Sequence, residues 1–160
     1  MEQSKMITAM VECPKGYNQK FDYDPEEQRF RLSKILPAGL VFPFDFGMVP
    51  GTKGEDGDPL DIIMISESGT FPGCLVDCRI IGALQAEQTE LNGQTMRNDR
   101  FIGVPGVSQM FSEITTLEQL PEAIGNQLEA FFKNYNEQAG KQFKVTAKLN
   151  AVQAAKLLGK

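Results

Sequence analysis

The chain has 160 residues, 41% of them hydrophobic, a formal net charge of −5 and a pI near 4.8. That suffices for the core of one ordinary domain, read as spanning residues 1–160, and the acidic balance argues against a non-specific nucleic-acid binder, which carries a basic face. No apolar run approaches the roughly 18 residues of a membrane span, and residues 1–5 lack a charged-then-apolar signal region, so a soluble, cytoplasmic protein with no membrane partner is expected.

In chain order, residues 6–13 read as a first strand ending at Pro14, followed by strands around 20–23 and 30–32. Residues 36–57 carry three prolines and five glycines, with Phe42, Phe44 and Phe46 alternating among them. This reads as a long functional loop, or as a surface loop pinned by three core phenylalanines. The run from Leu60 to Ile65 is a buried strand, and residues 74–84, continuing to about 87, form another long one. A polar stretch over 89–98, with Asn92-Gly93 inside it, predicts a hairpin tip before a strand at 100–104. Helix appears late. Ile124, Leu128, Phe131, Phe132 and Tyr135 recur at helical spacing between Pro121 and Gly140, and a short last helix over 151–158 is capped by Asn150. Strands followed by helices indicate an α+β domain with a closed or partly open barrel.

The chemistry centres on Asp56, Asp58 and Asp61, at the entrance to the Ile-rich strand. Carboxylates this close repel one another unless water, a proton or a cation relieves them. Gly57 and Pro59 keep Asp56 and Asp58 on a loop, and the Pro59 turn can bring Asp61 round to meet them. Three hard oxygen donors favour magnesium, which keeps several waters and substrate phosphate. A calcium hand is excluded by the wrong acid spacing and the intervening proline; a solvated acidic turn is the plain alternative. Cys13, Cys74 and Cys78 are too few for a disulfide framework, and Cys74 and Cys78, on one face of a strand, read as core thiols. With no histidine in the chain, acid-base work falls to carboxylates, Lys, Tyr or activated water.

The run Asp56-Gly57-Asp58-Pro59-Leu60-Asp61-Ile62 resembles the signature of the soluble family I inorganic pyrophosphatases. Other segments follow that family's order: Glu12-x-Pro14, Lys20-Phe21, Phe42-Pro43-x-x-Phe46-Gly47, Gly82, Arg100-Phe101-Ile102-Gly103-Val104 and Phe131-Phe132-x-x-Tyr135. The resemblance implies an OB-like five-stranded β-barrel with flanking C-terminal helices. It also implies hydrolysis of pyrophosphate with several Mg2+ ions, Mn2+ being an alternative, in a homo-oligomer. By the same resemblance Asp56 and Asp61 hold metal with Glu12 at the rim, Asp58 accepts the proton of the attacking water, and Lys20, Lys34, Arg100 and Tyr135 bind phosphate.

The departures are specific. Phe42 and Phe46 stand where the family usually has tyrosines, Lys34 and Arg100 exchange the usual Arg and Lys, and Asn136 replaces a usual Lys. In the hairpin, where the family places two further metal-binding aspartates, Asn98 takes the later position and Gln88 or Glu87 the earlier; Asp99 serves only if the register shifts by one. A divergent enzyme would take a replacement acid from Glu87 or Glu90. The competing reading is a module that has lost catalysis and binds a metal ion, a phosphate ligand or a protein partner on the same barrel. A barrel for single-stranded nucleic acid lacks the cationic track it would need.

Overall fold

The computed structural model describes residues 6–159. The opening residues 1–5, read above for the lack of a signal region, lie outside them. The strands are β1 (Met6–Cys13), β2 (Gln19–Asp24), β3 (Arg29–Ile35), β4 (Asp45–Val49), β5 (Leu60–Met64), β6 (Leu75–Thr89), β7 (Thr95–Arg97), β8 (Arg100–Pro105) and β9 (Gln142–Asn150). The helices are α1 (Glu122–Gln138) and α2 (Ala151–Leu157).

Five strands close on themselves in the order β1, β4, β5, β8, β6, with β6 returning to β1. All these pairings are antiparallel except β5 with β8. The far half of β6 extends beyond the ring, where β7 and β9 pair with it. The barrel with C-terminal helices is therefore as the sequence indicates. Strands β2 and β3 form a separate two-stranded sheet.

The continuous apolar run of β5 has a physical reason. Ile62 and Met64 face one buried cluster, which includes Ala154 of α2, while Ile63 and Ile65 face another, which includes Leu128, Phe131 and Phe132 of α1. A strand covered on both faces loses the alternation of a half-exposed one. Two elements depart from the sequence reading. Residues 36–57 are not wholly loop, since Asp45–Val49 forms β4 with alternating burial between two prolines. Strand β9 was not anticipated at all: Phe143, Val145, Ala147 and Leu149 alternate with polar residues, a period-two signal in a segment rich in lysine. Pro121 stands at the N-cap, one position outside α1, and Asn150 caps α2 by accepting from the Gln153 amide at 2.9 Å while Gln153 bonds back to the Asn150 N–H.

The loop after β8 is tied down by Glu67, which accepts from the Ser108 hydroxyl and from the backbone N–H groups of Gln109 and Met110. These donors, Ser108 foremost, hold the Glu67 carboxyl down at about 2. A carboxyl lowered on folding adds stability that is complete above its unfolded value and lost as pH falls through the folded one. The melting-temperature gap between the wild type and Glu67→Gln is expected to be widest above the ordinary carboxylate range and to shrink as pH falls toward about 2. A gap that stays constant with pH would contradict this role.

Candidate active site

Several elements converge on a cleft of about 660 Å³. The loop between β4 and β5 supplies the acids. Asp56 Oδ1 accepts from the Asp58 N–H at 3.0 Å, and the Gly54 N–H donates to the Asp58 carbonyl at 2.7 Å. Gly57 sits at φ +90°, a conformation that a residue with a Cβ adopts only at a cost. This tight turn sets Asp56, Asp58 and Asp61 on the wall of one cleft, as expected. Glu12, from β1, joins them.

The β2–β3 sheet supplies cations. Lys20 and Lys34 are directly opposite in register, and both line the cleft. Like charges placed opposite one another are unfavourable, so an anion between them relieves the hairpin. Burial pulls the Lys20 pKa down, but Tyr135 and Asp22 outweigh it and hold it above the usual lysine value. Tyr135 comes from α1 and stands under Lys34, whose Nζ is 5.7 Å from its ring centre.

Arg100 completes the floor. Its side chain is 11% exposed, and Nη1 donates to Asp61 Oδ2 at 2.9 Å. Its guanidinium carbon lies 5.1 and 5.5 Å from the ring centres of Phe132 and Phe143. Those rings belong to an aromatic cluster with Phe42, Phe46, Phe131 and Tyr135, so the two positions that lack phenolic hydroxyls contribute packing beneath the cleft.

Burial pushes the Glu12 carboxyl up to about 7, reinforced by the charges of Asp61 and Asp22. Loss of hydration raises Asp61 too, with Asp56 and Asp58 adding to the effect and Arg100 opposing it. Carboxylates made basic by one another are the donor chemistry that a hard divalent cation satisfies. Among the described residues, no three acidic side chains form a ready-made cage. The three aspartates therefore share one cleft without converging as a ready-made metal cluster.

Several hairpin residues fall elsewhere than their candidacy suggested. Glu87 is exposed and does not line the cleft; strand alternation turns it away from Gln88, and Arg97 and Lys144 are its register partners. Asp99 is buried outside the cleft, where Oδ1 accepts from the Ala86 N–H at 3.1 Å and Oδ2 pairs with Arg97 at 2.9 Å. Asn98, Gln88 and Glu90 do line it. Sequence reasoning passed over Lys141, which enters the cleft and meets Glu90 at 2.9 Å. The available signal was Gly140, whose φ of +73° ends α1 and turns the chain into β9. Asn136 is buried and spends its amide on the Phe132 carbonyl at 2.8 Å.

The inorganic pyrophosphatase family model matches residues 9–160. The chain belongs to that family. An inorganic pyrophosphatase of Halalkalibacterium halodurans is 33% identical over 98% of this chain and 93% of its own length, and one of Sulfolobus acidocaldarius is 34% identical over 93% and 85%. Among solved structures, the inorganic pyrophosphatase of Thermus thermophilus superposes with a TM-score of 0.88 at 28% identity, covering 99% of this chain and 90% of its own. That of Neisseria gonorrhoeae gives 0.87 at 26% identity, covering 98% and 88%. The Asp56, Asp58 and Asp61 turn lies within the pyrophosphatase-matched region and on the cleft wall.

Proposed function

We propose that this chain hydrolyses inorganic pyrophosphate to two phosphates, using Mg2+ with Mn2+ as a substitute. The observation that carries the reading is one cleft lined both by the carboxylates of Asp56, Asp58, Asp61 and Glu12 and by the cations Lys20, Lys34 and Arg100. Pyrophosphate is a compact polyanion, and its cleavage calls for charge neutralisation and in-line positioning more than for covalent chemistry.

Asp56 and Asp61 would hold magnesium in the cleft, with Glu12 at the rim. Bound magnesium supplies positive charge toward the phosphate oxygens and makes a nearby water more acidic. Asp58 accepts the proton of the attacking water. Lys20, Lys34, Arg100 and the Tyr135 hydroxyl hold the phosphate oxygens, and no histidine is needed for any of these tasks.

Three unpaired cysteines support a reducing, cytoplasmic setting, and no described helix is long and apolar enough to cross a membrane. Assembly into a homo-oligomer is supported by the exposed side chains of Phe71, Leu75, Val107 and Met110.

The test is phosphate release by the purified protein, stripped with a chelator and then titrated with magnesium. Release should vanish on stripping and return on titration. A Glu12 carboxyl raised to about 7 in the metal-free protein must give up its proton when the cation arrives. The half-saturating magnesium concentration is therefore expected to rise as pH falls below about 7, with Glu12→Gln flattening the dependence. Release that survives stripping would overturn the metal-dependent mechanism.

A further inference from the structure

The hairpin wall of the cleft is a chain of side-chain bonds with a direction. Lys141 Nζ meets Glu90 Oε2 at 2.9 Å, and Glu90 Oε1 accepts from Gln88 Nε2 at 2.9 Å. Gln88 Oε1 accepts from Asn98 Nδ2 at 3.1 Å, and the Asn98 side-chain oxygen accepts from Arg100 Nη1. The same Nη1 also donates to the Asn98 carbonyl at 3.2 Å and to Asp61 at 2.9 Å.

From this geometry we infer that Asn98 and Gln88 are positioning residues which lock Arg100 against Asp61 as the built-in cation of the cleft, and that neither ligates a divalent ion. The inference rests on the pyrophosphatase reading of the site. Each amide already uses its oxygen and its nitrogen within the chain. The orientation of Asn98 is fixed by that network, because a flipped amide would aim its own N–H groups at a guanidinium. A divalent ion on the Asn98 oxygen would sit beside the Arg100 charge, and a neutral amide compensates this poorly compared with a carboxylate.

The arrangement does something a metal ligand would not. Arg100 rests against the stacked rings of Phe132 and Phe143 and is tethered through one nitrogen, so its orientation is set before any ligand arrives. Among the described residues, Nε and Nη2 take no hydrogen-bond partner, which leaves a forked pair of donors for phosphate oxygens. Only Oδ2 of Asp61 is engaged by Arg100, so its second oxygen remains for a cation. The two amides therefore serve the phosphate side of the cleft.

The experiment uses Asn98→Ala and Gln88→Ala in the full chain, each checked for folding by thermal melting. Inorganic phosphate binding is measured by calorimetry without divalent ions, Mn2+ binding by the loss of its free-ion resonance signal without phosphate, and kcat and KM with pyrophosphate. Asn98→Ala is expected to weaken phosphate binding and raise KM by about 10-fold, the scale of one hydrogen bond to a charged group, with a smaller change in kcat and no change in Mn2+ stoichiometry. Gln88→Ala should act in the same direction more weakly, and the double variant should be no worse than Asn98→Ala, because the two act in series. Loss of a Mn2+ site with phosphate binding intact would overturn the inference. Gln88→Ala carries the same test should Asn98→Ala not fold. If the wild type fails to hydrolyse pyrophosphate, the proposed function falls, while the phosphate and Mn2+ measurements still decide the role of the two amides.

Discussion

Replacing Asp58 by Asn is expected to lower magnesium-dependent phosphate release from pyrophosphate by at least about 100-fold, the lower bound for losing a general base. The side chain makes no hydrogen bond or ion pair among the described residues, and its position is set by its backbone, through the Asp56 side chain and the Gly54 N–H. The isosteric amide thus leaves the turn intact and removes only the proton acceptor. The loss should appear in kcat, with an unchanged melting temperature and unchanged Mn2+ binding. Activity equal to the wild type would show that Asp58 is not the base.

Gly47→Ala should be strongly destabilising, at about 3 kcal/mol or more for an insertion into a packed site that cannot relax. A Cβ on Gly47 would lie 2.0 Å from the Met10 carbonyl oxygen and 2.8 Å from its carbon. Both are backbone atoms of the paired strand, and Gly47 is in register with Val11, so relief requires parting β1 from β4. Equilibrium denaturation would report the loss as a lower midpoint. Activity would suffer in the surviving folded fraction, because Glu12 follows Val11 on β1 and Asp61 is the register partner of Met48 on β4's other side. A midpoint matching the wild type would mean that the strands tolerate a separation their pairing argues against.

How much of this was legible depends on whether a feature is local in sequence. The strands at Met6–Cys13 and Leu60–Met64 carry their signal in their own residues, as does α1 with its aromatic stripe. The acidic turn was readable because Gly57 and Pro59 dictate its shape. Strand β9 carried its signal too, as Phe143, Val145, Ala147 and Leu149 alternate with Lys144, Thr146 and Lys148 in the period of two, although it was not among the expected strands. The hairpin was legible in part: Asn98 and Gln88 line the cleft and Asp99 lies outside it, as its place one residue from Asn98 implied, while Glu87 is turned away by the alternation of β6. The pairing of Arg100 with Asp61 joins residues 39 apart and follows from the parallel contact of β5 with β8, which no local pattern announces.

The β2–β3 sheet has its own small ladder and is not hydrogen-bonded into the barrel's. Two strands alone are marginally stable in water, and this pair also holds Lys20 against Lys34. A pyrophosphate anion with one end on those lysines and the other on Arg100 would join the hairpin to the barrel across the cleft, adding an ionic seam where the backbone provides none. Pyrophosphate can grip both sides as one molecule; its two products cannot. Cutting the anhydride would then also cut the seam, and the hairpin would slacken at the moment the products must leave.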